Sequence, residues 1–223
     1  MLGDSFMLDI NKWLKVLDYK NLESFFRSEK DKGTIKETVG RVVVSWLIYS
    51  IPIIILQLVL LTDGTSSSLI TSIIGVVIAF VIFAILIVIS FFICNGTQHL
   101  IALALGGKGS YSGLLHLTSF ILAIAFLVLL PLEGIAEISS LVPAVATVVN
   151  CLFSIVFFGL IFYALYASYL AVKMHYNMTP GRAAAAVILD ALLWLVVLVV
   201  IFIVMAAAIG PMISTTGGLN QTG

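Results

Sequence analysis

The residues of this chain that could do chemistry are polar side chains set inside long apolar segments. Asp190 lies roughly ten residues, or about 15 Å, into the last of these segments, and His116 lies in the third. A carboxyl group at that depth is costly unless it faces a bundle interior, a polar partner or water, so Asp190 and His116 could form a proton relay or an ion site. Asn150 is expected to hydrogen-bond across the bundle. The alternative is structural, with Asp190 protonated or hydrogen-bonded to a neighbouring helix.

A glycine-rich stretch invites comparison with a phosphate-binding loop. Residues 106–110 read Gly-Gly-Lys-Gly-Ser, so Gly106, Gly107 and Gly109 surround Lys108. The nucleotide-binding pattern requires glycine where this chain has Ala102, and serine or threonine at position 109. We therefore predict a tight turn in which Gly106 ends one helix and Ser110 begins the next.

Catalytic and metal-binding patterns are missing from the sequence. There is no His-Glu-x-x-His pair, no Gly-x-Ser-x-Gly elbow and no pair of intramembrane aspartates, and the three histidines are scattered singly. The two cysteines have no metal-site spacing. We expect no catalytic residue, metal or cofactor, and a protein that is not an enzyme.

The composition indicates an integral membrane protein. Of the 223 residues, 61% are apolar and 10% are charged, against roughly a quarter charged in soluble domains. One helical crossing takes about 20 apolar residues, so there is room for several. The formal net charge is zero, and no long basic tract is present, which argues against nucleic acid as a partner.

The distribution of apolar residues predicts an all-α fold with a bundle of five transmembrane helices. The predicted spans are residues 42–61, 69–94, 114–132, 142–172 and 183–210. Residues 1–41 form a polar, amphipathic segment before the first span, and residues 211–223 form a tail.

Within residues 1–41, apolar side chains recur at helical spacing and predict an amphipathic helix. They are Phe6, Ile10, Trp13, Leu14 and Leu17. Phe25 and Phe26 follow after Asn21, a predicted N-cap, and Thr34 with Glu37 forms a capping-box pattern. Such a segment suits the headgroup boundary of a membrane or a protein partner. Whether it lies on the bilayer or folds against the bundle is open at this point.

Orientation follows from the basic residues. Eight of the eleven Lys and Arg residues precede the first crossing, and the others are Lys108, Lys173 and Arg182 in the second and fourth loops. Positive charge beside crossings stays cytoplasmic, so the amino terminus is predicted inside and the carboxyl terminus outside. The outer loops carry only acids.

Three stretches of the chain resemble prokaryotic Yip1-domain proteins. They are residues 21–27 (Asn-Leu-Glu-Ser-Phe-Phe-Arg) with 32–39, residues 106–111 (Gly-Gly-Lys-Gly-Ser-Tyr) before a helix carrying Pro131, and residues 172–178 before a Thr-Pro pair. Eukaryotic relatives act in the early secretory pathway with small GTPases and with each other. The resemblance implies five crossings, a plasma-membrane location and no catalytic residues.

Together these features predict a non-enzymatic membrane scaffold that recruits protein partners or shapes the bilayer, with homo- or hetero-oligomers possible. The cytoplasmic interaction surface is expected to include Trp13, Phe25, Phe26, Gly106, Gly107, Lys108, Gly109 and Arg182. The rival hypothesis is a small transporter or channel that uses Asp190 and His116.

Overall fold

The computed structural model describes residues 10–60 and 66–216 as an all-α chain, with side chains described for 10–59 and 74–205. No strand occurs in those ranges, and Phe6 lies outside them. The elements are α1 (Ile10–Leu14), a 3-10 turn (Lys15–Leu17), α2 (Leu22–Glu29), α3 (Ile35–Leu60), α4 (Ser66–Ala104), α5 (Tyr111–Ser139), α6 (Pro143–His175) and α7 (Pro180–Thr216).

Helices α3 to α7 are each long and apolar enough to cross a membrane, which confirms the predicted five-helix fold. They extend beyond the predicted spans. Helix α4 continues past residue 94 to Ala104, α5 passes through Pro131 to Ser139, and α7 runs to Thr216, inside the predicted tail. Apolar residues mark only the part of a helix inside hydrocarbon, whereas backbone hydrogen bonding continues until a capping residue stops it.

Local capping sets several helix ends where the sequence predicts them. The backbone N–H of Glu37 donates to Thr34 Oγ1 and that of Thr34 donates to Glu37 Oε2, both at 3.2 Å, so the capping box forms before α3. Gly106 ends α4 in the left-handed region, with φ of 86°. Ser110 Oγ accepts from the backbone N–H of Gly113 at 3.2 Å, which begins α5.

Residues 10–34, which we call the head, fold against the bundle. Their buried apolar side chains form one core with α5 and α6. The head contributes Trp13, Val16, Leu22, Phe25 and Phe26, and the bundle contributes Leu117, Phe120, Ile121, Ala123, Ile124, Ala167, Leu170 and Ala171. Burial of each large apolar side chain stabilises this arrangement by about 1.5–3 kcal/mol. The head is therefore a docked cap.

The head and two loops lie at one end of the bundle, which we call the head end. The loop at 105–110 contacts the loop at 176–179, since the backbone N–H of Lys108 donates to Tyr176 O at 3.1 Å. All eleven Lys and Arg residues lie at this end. Glu133 and Glu137 lie near the opposite end of α5, which we call the far end, where the Tyr49 hydroxyl donates to Glu133.

Candidate functional site

The three predicted intramembrane polar residues lie in three separate places. His116 is buried beneath the head, and Asp190 faces α4. Asn150 is exposed on α6, and no residue in the described part of the chain hydrogen-bonds its side chain. The predicted cross-bundle hydrogen bond of Asn150 is therefore not made there, because that face of α6 has no packed neighbour. Asp190 and His116 do not share a site.

Asp190 is joined to the neighbouring helix by a short polar chain. Thr97 Oγ1 on α4 lies 2.7 Å from Asp190 Oδ1, and Trp194 Nε1 on α7 donates to Thr97 Oγ1 at 3.2 Å. The same Thr97 hydroxyl lies 2.8 Å from the backbone oxygen of Cys94. A carboxyl group satisfied by a hydroxyl on another helix links the two helices. This arrangement favours the structural alternative for Asp190.

A buried ionic cluster joins the head to the bundle. Glu29, at the end of α2, and His116 on α5 are 5% and 3% exposed. Glu29 Oε2 lies 3.6 Å from His116 Nε2, just beyond hydrogen-bond distance. Glu29 Oε1 lies 3.4 Å from Lys32 Nζ and 3.7 Å from Lys12 Nζ. The lone buried carboxylate of the head is thus surrounded by nitrogen groups, as a buried charge requires.

Arg41 completes this cluster from the start of α3. Its Nη1 donates to the backbone oxygen of His116 at 3.2 Å and to Ser119 Oγ, and it lies 3.5 Å from His116 Nδ1. Its Cζ is 3.6 Å from the centre of the Phe120 ring, in cation–π contact. Glu29, Arg41, His116 and Ser119 are called the junction cluster below.

The junction cluster places opposite charges on the two sides of the His116 ring. Nδ1 faces the Arg41 guanidinium, and Nε2 faces the Glu29 carboxylate. The two hydrogens of Arg41 Nη1 are donated to the His116 backbone oxygen and to Ser119 Oγ. The cluster holds three elements together and has the geometry of a structural clamp.

The glycine-rich turn is explained by close packing against the end of α6. A Cβ at Gly107 would lie 2.9 Å from the Cβ of Tyr176, and one at Gly109 would lie 2.8 Å from His175 Cδ2. The backbone N–H of Ser110 donates to His175 Nε2 at 3.0 Å. These glycines therefore allow two loops to touch. Burial raises the pKa of the Tyr176 phenol, which remains neutral.

Part of the predicted interaction surface is covered by protein. Trp13, Phe25 and Phe26 are buried in the head core, because the bundle supplies an apolar partner that the sequence does not reveal. Lys108 and Arg182 remain exposed at the head end. Neither the Arg182 guanidinium nor the Lys108 ammonium pairs with an acid among the residues with described side chains.

The head instead exposes a different set of apolar side chains. Ile10, Leu14 and Leu17 follow i, i+4, i+7 spacing and are 42%, 47% and 44% exposed. We call these three residues the apolar stripe. The predicted apolar face is thus divided, because Trp13 turns towards the bundle together with Val16, which the sequence pattern did not single out.

The fold and this surface define a multi-pass α-helical membrane protein with a docked head. Among the residues whose side chains are described, no group of three or more His, Cys, Asp or Glu residues could hold a metal ion. Comparison with protein-family models, with curated proteins and with solved structures gives no match for this chain.

Proposed function

We propose that this protein is a non-enzymatic membrane scaffold whose head end recruits a protein partner. The observation that carries the proposal is the combination of a docked head with an exposed apolar stripe. Leu14 and Leu17 are nearly half exposed, while Trp13 in the same short segment is 4% exposed. A stripe held in place by a packed core offers a partner a surface that is already ordered, which lowers the entropic cost of binding.

The surroundings of the stripe suggest the chemistry of the partner. A shallow depression of about 550 Å³ lies on α2 and is lined by Lys20, Asn21, Glu23, Ser24, Arg27 and Ser28. Lys15 and Lys20 flank the stripe on exposed positions, and the exposed Asp18 between them already accepts hydrogen bonds from the Lys20 backbone and the Asn21 side chain. A partner helix with an apolar face and acidic flanks would complement such a surface, in the manner of a helix that docks its apolar side chains.

Orientation in the cell is part of the proposal. The eleven basic residues at the head end favour a cytoplasmic location for that end, since positive charge beside crossings is retained inside. The acids Glu133 and Glu137 are then near the outer surface. The carboxyl terminus, after an odd number of crossings, would be outside.

We further propose that the protein is a prokaryotic Yip1-like member, located in the plasma membrane. Support comes from the sequence resemblance at residues 21–27, 106–111 and 172–178. This assignment carries no catalytic residue, which agrees with a scaffold.

Substitution on the stripe tests recruitment without removing the head core. We expect Leu14→Glu combined with Leu17→Glu to abolish recovery of the crosslinked partner from cells, because two charges would replace the apolar contact. Asn11→Glu adds one such charge at an exposed neighbouring position off the stripe and should leave recovery unchanged, and each single variant, Leu14→Glu or Leu17→Glu, should lower recovery.

Unchanged recovery with the double variant would refute recruitment through the stripe. Reconstitution of the purified chain without a partner tests whether the stripe contacts the bilayer instead of a protein. If a lipid-phase photoprobe labels Leu14 and Leu17 in vesicles of the purified chain, the stripe faces the bilayer and the protein-partner proposal is wrong. Removal of residues 1–30 is a poorer test, because it also removes Phe25 and Phe26 from the core.

A further inference from the structure

A groove between α6 and α7 is lined by residues of these two helices and by none from the head. Its volume is about 510 Å³, within the range of small-molecule sites. Leu165, Tyr166 and Tyr169 line it from α6, and Ala184, Ala191 and Leu195 are among the residues that line it from α7. Ala184 and Ala191 are seven positions apart on one helix face, so their small side chains leave the space open.

The length of the groove matches half a membrane. Ala184 and Leu195 are separated by about 16 Å along the helix axis, and one leaflet of a hydrocarbon core of about 30 Å is about 15 Å deep. A helix from a second copy of the chain would cross both leaflets. A ligand that ends near the bilayer centre therefore fits this groove better than a neighbouring helix does.

The head end of the groove is suited to a negative charge. On α6, Lys173 follows Tyr169 by four positions and Tyr166 by seven, so it lies on the same face just beyond the groove. Its Nζ is 3.5 Å from Glu23 Oε1, and an ammonium has three donors, so further acceptors can bind it.

The first turn of α7 adds to this positive character. Gly181 lies seven positions before Ile188, a groove residue, and a Cβ at Gly181 would meet nothing within 4 Å. The backbone N–H groups of Gly181 and Arg182 belong to the first turn, where a helix has no carbonyl to bind them. An anionic group at this position would receive these donors and the favourable end of the helix dipole.

We propose that the α6–α7 groove binds one acyl chain of an anionic phospholipid from the leaflet at the head end, with the phosphate beside Lys173 and the first turn of α7. This is a ligand site distinct from the recruiting surface, and it does not depend on the proposed scaffold function. Phosphatidylglycerol supplies both the chain and a net negative headgroup, whereas in phosphatidylcholine the choline cation offsets the charge of the phosphate.

Photolabelling of the full chain in vesicles tests the proposal. The probes are phosphatidylglycerol and phosphatidylcholine that carry a diazirine on one acyl chain, and adducts are located by peptide mass spectrometry. We expect the phosphatidylglycerol adducts to concentrate on groove residues. Ala191→Phe should lower them by about fivefold or more, because the larger side chain fills the space. Ala144→Phe, the same change at an exposed position near the far end of α6, should have no effect.

Charge recognition is tested separately. Lys173→Gln should remove the preference for phosphatidylglycerol over phosphatidylcholine, while insertion of the acyl chain persists. For the obstruction test, Ala184→Leu fills less of the groove and serves if Ala191→Phe fails to fold. Equal groove labelling in wild type, Ala191→Phe and Ala184→Leu would overturn the proposal. So would a dimer whose crosslinks cover Tyr166 and Ala191, because the occupant would then be a second copy.

Discussion

Gly33 lies directly against the imidazole of His116, since a Cβ at position 33 would be 1.9 Å from His116 Cγ and 2.3 Å from its Cβ. The close approach brings the chain between α2 and α3 onto α5, and it allows Glu29 and Arg41 to reach the same imidazole. Both atoms of His116 are near its backbone, so the ring cannot swing away from an added methyl group without moving α5.

Gly33→Ala should therefore loosen the head by about 1–3 kcal/mol, the usual cost of overpacking. The measurement is the thermal unfolding of the detergent-purified chain, together with the rate of trypsin cleavage in the head. Gly159→Ala is the matched control, because a Cβ there meets nothing within 4 Å and alanine favours a helix. If both variants unfold alike, the contact with His116 has no energetic importance.

Glu29→Gln should also release the head, because the neutral amide loses the attraction of the surrounding cations and stays buried. A loss of about 1–3 kcal/mol is expected for such an imperfectly satisfied buried group. Glu23→Gln is the control, since its ion pairs with Arg27 and Lys173 involve a carboxylate that is 44% exposed and contribute about 0–1 kcal/mol. If the head is cleaved faster in the Glu23 variant than in the Glu29 variant, the junction cluster does not hold the head in place.

Phe26→Ala should cost about 3–5 kcal/mol, the usual loss for a fully buried phenylalanine. Phe26 is completely buried in the head core, whereas Leu14 is nearly half exposed. Leu14→Ala should change stability by no more than about 0.5 kcal/mol. Chemical unfolding of both variants in one detergent gives the comparison, and equal losses would mean that the head is not packed as described.

Asp190→Asn should leave stability close to that of wild type, because an amide can still hydrogen-bond to Thr97 Oγ1. Asp190→Leu should be destabilising, since it removes the acceptor that Thr97 Oγ1 on α4 reaches on α7 and so breaks the link between the two helices. Vesicles that contain the wild-type chain should show no proton or cation flux. A flux that falls on Asp190→Asn would instead support the transporter hypothesis.

Local features of this fold could be predicted because their physics is local. The capping box at Thr34 and Glu37 and the turn from Gly106 to Ser110 depend on residues within a few positions of each other. The five crossings follow from hydrophobic length alone. Asn21 marks the start of α2 as predicted, yet its side chain donates to Asp18 Oδ2 at 2.8 Å and does not cap the helix.

The site could be predicted less well because it depends on contacts distant in sequence. Glu29 and His116 come from different helices, and no spacing rule links a carboxylate before the first crossing to a histidine in the third. The apolar pattern of the head placed Trp13 and Leu14 on one face, but the 3-10 turn after Leu14 and the position of α5 decide which side chain is covered. The amphipathic pattern of a short helix does not specify which other helix its apolar side chains pack against.

Determining on which side of the membrane the head lies is the most direct test of a cytoplasmic recruiting head. In a chain with Cys94→Ser and Cys151→Ser, one thiol is introduced at Ser28 in the head or at Ser140 at the far end, both exposed positions. A membrane-impermeant maleimide applied to intact cells should label Ser140→Cys and should reach Ser28→Cys only after the membrane is opened. Labelling of Ser28→Cys in intact cells, with Ser140→Cys protected, would contradict a cytoplasmic recruiting head.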